Sequence, residues 1–403
     1  MHKNGSARTN PGRARLSLGS LFLLAALALG AESRFSISPY LDYNYSSNIF
    51  WNVNQVADHT FSPGLDVDWR LGELDLFLSA DGRFYQENSY MNSALVAGGF
   101  SLVKVLSART SLFISPDFTL TRSDKDLSFL DTNVPGITMG IKQVLSGRLF
   151  GRLGLSARYS DYVNEDSYDR ARLAAFLELS AFLPSQTTLR VTAGLNYLRF
   201  PHITVSGASA DGTPYGNGGN GQQNGRGGPT RPVTPADEAT APSSVVLAIP
   251  QPFVIARVAQ GIGFTSGVYA EFMLRRNQDP LQGIQALAAS EWALEQTDDD
   301  FFWEGTRLSL GLKTEALLGL EISLDLSLLD KKYRGIDALD LDGRPIQPPA
   351  TRADTLSQAS LRISKRLHRT DFSTALTYRR NESNDLYFQY DFLTISAGLQ
   401  FTL

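Results

Sequence analysis

From residue 35 to the last residue the chain alternates apolar and polar side chains with a period of two, in segments of about ten residues separated by turn-rich connections. That pattern places one row of each segment in an apolar medium and the other in a polar one, and it is the length a tilted membrane strand needs. Phe61, Leu65, Val67, Trp69 and Leu71 stand opposite Asp66, Asp68 and Arg70, and Leu74, Leu76, Leu78 and Ala80 stand opposite Asp75 and Asp81. Leu112, Ile114, Phe118 and Leu120 oppose Asp117, and Leu153, Leu155 and Tyr159 oppose Arg152 and Arg158. Leu173 and Leu177 run beside Arg172, Leu189 and Val191 beside Arg190, and Leu320 to Leu328 beside Glu321 and Asp325. About sixteen such segments can be counted, with fourteen or eighteen as neighbouring counts. The pattern is faintest at 93–106, 136–145 and 249–259, where both faces are apolar or Gly-rich.

A soluble β-sandwich would also alternate, so the connections decide between the two. They are short around 72–73, 107–109, 146–148, 184–187, 260–262, 314–317 and 367–369, and long at 46–60, 86–92, 123–137, 162–169, 201–248, 276–300, 334–354 and 380–385. Strict sorting by parity is the habit of outer-membrane barrels, with short periplasmic turns and long external loops. The sequence therefore predicts an all-β fold: a transmembrane antiparallel up-and-down barrel of about sixteen strands in a bacterial outer membrane. Aromatic residues cluster toward the long-connection ends, at Tyr43, Tyr45, Phe84, Tyr85, Tyr159, Tyr162, Tyr197, Phe200, Tyr333 and Tyr378. Rings with a polar tip suit the headgroup region there.

The first thirty-one residues read differently. Lys3, Arg8, Arg13 and Arg15 precede an apolar run from Leu16 to Leu29 and then small residues, which predicts a signal peptide over 1–31 and a mature barrel over 32–403. Removing four basic and no acidic residues takes the formal charge from −4 to −8. So mild an acidic balance argues against a nucleic-acid partner. Zero cysteines exclude disulfides, thiolate catalysis and Cys-based zinc sites.

No catalytic constellation can be assembled from the histidines His2, His59, His202 and His368, so no enzyme activity is expected. No cofactor or metal is expected either. Asp298, Asp299 and Asp300, and Asp337, Asp340 and Asp342, read as solvated loop charge, the latter run lacking the spacing of a calcium loop. Residues 201–248 are expected to form one long Gly/Pro-rich disordered external loop, because 206–244 has too few apolar side chains to offset its ordering entropy. Residues 279–296 could form a short external helix.

With leucines facing lipid, the residues expected to line the lumen are Asp66, Asp68, Asp75, Asp81 and Asp117 from early strands, Arg152, Arg158, Arg172 and Arg190 from strands about half a circumference away, and Glu321 and Asp325. Opposed acidic and basic walls would set up a transverse field in a water-filled pore, whereas charges paired across a closed lumen would fill it. At the end of the chain Leu393, Ile395, Ala397, Leu399, Phe401 and Leu403 share one face, which resembles the C-terminal signal read by the barrel-assembly machinery, with Leu in place of the usual final Phe.

The run Asp42-Tyr43-Asn44-Tyr45-Ser46-Ser47-Asn48-Ile49-Phe50, then Asp58 and Ser62-Pro63-Gly64-Leu65, together with Arg380-Asn381-Glu382-Ser383-Asn384-Asp385 and Tyr390-Asp391, resembles the outer-membrane β-barrel porin family of the type often associated with exopolysaccharide and exosortase loci. The resemblance implies a barrel without a catalytic residue set, and the Gly-rich insert is outside its usual pattern. The expected function is passive diffusion of small hydrophilic solutes. The alternatives are a barrel accessory of exopolysaccharide secretion, with polysaccharide-export proteins as partners, and a plugged barrel for surface display. Expected partners otherwise are outer-membrane lipid and the barrel-assembly machinery.

Overall fold

The computed structural model describes residues 33–205, 243–277, 303–316 and 319–403. The leader over 1–31, most of the Gly-rich connection and the expected external helix lie outside the described residues.

Sixteen strands follow one another in chain order. They are β1 (Ser33–Ser46), β2 (Asp58–Leu71), β3 (Leu74–Tyr85), β4 (Ser93–Ser107), β5 (Thr110–Ser123) and β6 (Thr132–Ser146). Then come β7 (Leu149–Tyr162), β8 (Arg170–Phe182), β9 (Thr187–Val205), β10 (Ser243–Ile262) and β11 (Ser266–Arg275). The circuit finishes with β12 (Glu304–Ala316), β13 (Leu320–Asp337), β14 (Thr351–Leu367), β15 (Thr370–Ser383) and β16 (Tyr390–Phe401). Each pairs antiparallel with its sequence neighbours, and β1 closes on β16 from Tyr40 opposite Gln400 to Ser46 opposite Thr394. Closure removes the exposed strand edges that an apolar medium would not tolerate.

Short and long connections alternate as expected, but the long insert is narrower than 201–248. β9 continues to Val205 and β10 starts at Ser243, paired from Ser243 opposite Val205 onward. The backbone of 201–205 and 243–248 satisfies itself by extending the ladder beyond the neighbouring strands. The turn placed at 260–262 falls instead after Ile262.

A soluble protein of this size would bury its leucines; this one displays them. Leu65, Leu153, Leu155, Leu173, Leu177, Leu308, Leu310, Leu326 and Leu376 all lie on the outer face with large exposed areas. A belt of that kind, far larger than an ordinary surface patch, marks a membrane-facing wall. The protein is an integral barrel of the outer-membrane type.

Period-two geometry also sorts the aromatic residues. Phe61, Phe84, Tyr159, Tyr197 and Tyr378 are exposed on the outer face, consistent with a girdle. Tyr162, Phe200 and Tyr333, which the sequence placed with them, are instead buried. Tyr162 is an odd number of positions from Tyr159, as Phe200 is from Tyr197, so each projects to the opposite face.

Among the described residues, three connections pack together at the loop end. Phe50, Met91 and Leu127, from the connections after β1, β3 and β5, form a small buried cluster with Ile49, Val56, Tyr85 and Tyr90 around it. Carboxylates at the strand tips bind the loop backbone. Asp58 accepts the N–H groups of His59, Glu87 and Asn88 and the Asn88 side-chain amide, and Asp169 accepts the Tyr162 N–H and the Tyr159 hydroxyl. Asp385 similarly accepts the N–H groups of Leu339 and Tyr387. His59 meets the Tyr43 hydroxyl at 2.6 Å on the outer face, while His368 sits in the turn at the opposite end of the wall.

The lumen wall as the candidate functional site

Every strand turns alternate residues inward, and the ladder registers fix which ones share a level. Asp66, Asp68, Asp75 and Asp81 on β2 and β3, Asp117 on β5, Arg152 and Arg158 on β7, Arg172 on β8, Arg190 on β9, and Glu321 and Asp325 on β13 all lie on the face opposite the exposed leucines.

Their contacts run mostly around the wall rather than across it. Asp66 accepts the Ser79 hydroxyl at 2.7 Å and the Gln400 side-chain amide at 3.3 Å, while Asp75 pairs with Arg70 at 2.5 Å. Asp117 packs over Gly136 and receives Arg158 at 2.7 Å. Glu178 lies 3.8 Å from Arg190. Glu321 pairs with Lys313 at 2.8 Å, and Asp325 accepts the Tyr269 hydroxyl at 2.5 Å.

The expected separation of charge holds only in part. In a sixteen-strand circuit β2 faces β10, so Asp66 and Asp68 lie across the lumen from the β9–β10 wall, where Arg190 and Arg257 are direct cross-strand partners. Asp117 and Arg158 touch, however, because only β6 separates their strands and its Gly136 leaves room for both. The acidic and basic sectors are therefore contiguous at β5–β7 and opposed only between β1–β3 and β9–β10.

Several inner-face groups escaped the sequence reading. Glu271 on β11 lies between Arg257 at 3.7 Å and Arg307 at 2.9 Å, and Arg257 also rests over the Tyr269 ring at 4.0 Å. Arg362, Arg366, Asp371, Asp42 and Asp66 border a lumenal recess of about 720 Å³ near the turn end. Strand alternation could have found Arg257, but its strand reads as apolar on both faces.

Six inward rings show a further regularity. Tyr40, Phe77, Phe113, Phe176, Phe253 and Tyr269 each face a glycine directly across the ladder: Gly64, Gly99, Gly140, Gly154, Gly194 and Gly311 in that order. At each of these glycines a Cβ would run into the facing ring. Each ring therefore lies along the wall rather than standing into the lumen. The only sequence signal is an in-strand glycine on the polar face, which becomes readable once the register is known.

Toward the loop end the wall near β9–β12 is packed. Leu198, Ile249, Gln251 and Trp303 are almost fully buried, Gln251 donates to Asn277 at 2.8 Å, and Arg275 lies 3.3 Å from the Trp303 ring centroid. Further round the wall on β14, Arg352 forks onto Asp354 at 2.7 Å and stacks on Phe388 at 3.4 Å. These buried pairs tie strand ends to loops.

Neither a scan against protein-family models nor a search of curated proteins gives a match. Solved structures do match. OccAB1 of Acinetobacter baumannii is 10% identical with a TM-score of 0.49, over 92% of this chain and 96% of that one. OpdO of Pseudomonas aeruginosa is 10% identical with a TM-score of 0.49, over 92% and 97%. The outer membrane protein OprD from Pseudomonas aeruginosa is 9% identical with a TM-score of 0.46, over 93% and 96%.

Proposed function

We propose that this barrel is a channel for passive diffusion of small hydrophilic solutes across the outer membrane. The observation that carries the reading is the exposure of inner-face charges. The side chains of Arg158, Arg190 and Arg257 are 54%, 47% and 39% exposed although they point away from the lipid. Ion pairs that filled a closed lumen would be desolvated, and such desolvation is costly. Half-exposed arginines on an inner wall are those of a water-filled path.

The flattened rings support the same reading, since each aromatic laid over a glycine leaves the aperture wider than an upright one would. The rows of charge give the path a polarity that favours hydrophilic over apolar solutes. Lipid contacts the leucine belt on this reading, and the barrel-assembly machinery meets the row from Leu393 to Phe401 on β16 together with Leu403 just beyond it.

The test is single-channel recording in planar bilayers with refolded protein. Stepwise conductance is expected, together with swelling of sugar-loaded liposomes that falls off with solute size. Absence of any conductance would overturn the proposal.

A further inference from the structure

Lys142 on β6 and Arg152 on β7 are direct cross-strand partners on the inner face. Like charges directly opposite one another destabilise a ladder, and four other wall cations, Arg158, Arg190, Arg257 and Arg307, each meet a carboxylate. Lys142 and Arg152 form no ion pair among the described residues. Glu178 is the register partner of Arg152 on β8, yet its carboxylate turns to Arg190 and Ser180.

What holds the two cations is aromatic. The Arg152 guanidinium sits 4.2 Å from the Phe113 centroid and 5.4 Å from that of Phe176, and the Lys142 ammonium sits 5.1 Å from the Phe150 centroid. Phe113 and Phe176 are themselves laid flat over Gly140 and Gly154. A guanidinium held by ring contacts keeps its in-plane N–H groups available for a planar or tetrahedral oxyanion.

We propose that Lys142 and Arg152 form an oxyanion-binding subsite on the lumen wall, taking the carboxylate, sulfate or phosphate group of a passing solute. The inference rests on the reading of the lumen as an aqueous path. An anion between the two would offset their mutual repulsion and accept charge-assisted hydrogen bonds from the arginine fork. The aromatic contacts supply position without neutralising charge, so the site stays cationic when empty.

The test uses the refolded full-length barrel in detergent, with sodium sulfate exchanged for sodium chloride at constant ionic strength. The readouts are the temperature at which the folded electrophoretic band is lost and the heat of sulfate titration. Sulfate stabilises folded proteins generally, so the difference between parent and variant carries the result. Lys142→Gln and Arg152→Gln are each expected to weaken apparent sulfate affinity about tenfold, from loss of a hydrogen bond to a charged group. Arg152→Lys should fall between them and the parent, because it keeps the charge and loses the fork. Should Arg152→Gln give no folded band, Arg152→Lys and Lys142→Gln carry the comparison.

Identical sulfate responses in parent and folded variants would overturn the subsite. A barrel that conducts but gives that result loses the subsite and keeps the diffusion reading. One that binds sulfate through these two residues and passes no current keeps the subsite and loses diffusion.

Discussion

Gly154 on β7 lies directly across the ladder from Phe176 on β8, and the Phe176 ring occupies the space where a side chain at 154 would begin. Gly154→Val should destabilise the barrel by roughly 1–3 kcal/mol through overpacking. Phe176→Ala in the same chain should recover part of that loss. A double-mutant cycle on urea midpoints of the folded band reads the coupling. Additive effects would show that the two residues do not share the space.

Neighbouring residues of β7 should respond oppositely to the same substitution. Leu155 is exposed on the lipid face in mid-strand, while Ser156 points inward. Leu155→Arg should cost about 2–4 kcal/mol of stability in lipid. Ser156→Arg should cost far less and should alter ion selectivity. Folding titrations in lipid vesicles measure the first, reversal potentials the second.

Asp58 is almost fully buried and accepts four hydrogen bonds, three of which, from Glu87 and Asn88, hold the connection after β3. Asp58→Ala orphans those donors, at about 1–3 kcal/mol for each that water does not reach. The expected result is a barrel that still folds but is cleaved faster by protease between residues 86 and 92, followed by mass spectrometry.

Changing Arg152, Arg158, Arg172 and Arg190 together to Glu should raise cation preference, measured as a shift of reversal potential under a KCl gradient. The shift should be largest in dilute electrolyte, since screening acts over about 10 Å at 0.1 M salt. An unchanged selectivity in an open pore would remove these side chains from the conducting path.

Deleting Gly398 to Leu403 strips β16 of its pairing with Tyr40 to Asp42 on β1 and with Thr370 to Ser373 on β15. Backbone groups on both neighbours would then face lipid unpaired. The heat-modifiable folded band should disappear. Migration like that of the intact chain would contradict this.

A count of about sixteen strands, the alternation of turns and loops, and the facing of the charged residues on strongly alternating strands follow from the sequence alone, because all three depend on a period of two that local chemistry enforces. Asp66 and Leu65 must part company whatever the rest of the chain does, once one side is apolar. What the sequence leaves open is lateral. Which residue of β7 stands beside which residue of β8 depends on register and closure, set by long-range hydrogen bonding that no local pattern records. Only the closed barrel put Asp117 against Arg158 rather than across the lumen, laid Phe176 over Gly154, and left Lys142 and Arg152 side by side with rings for company instead of carboxylates.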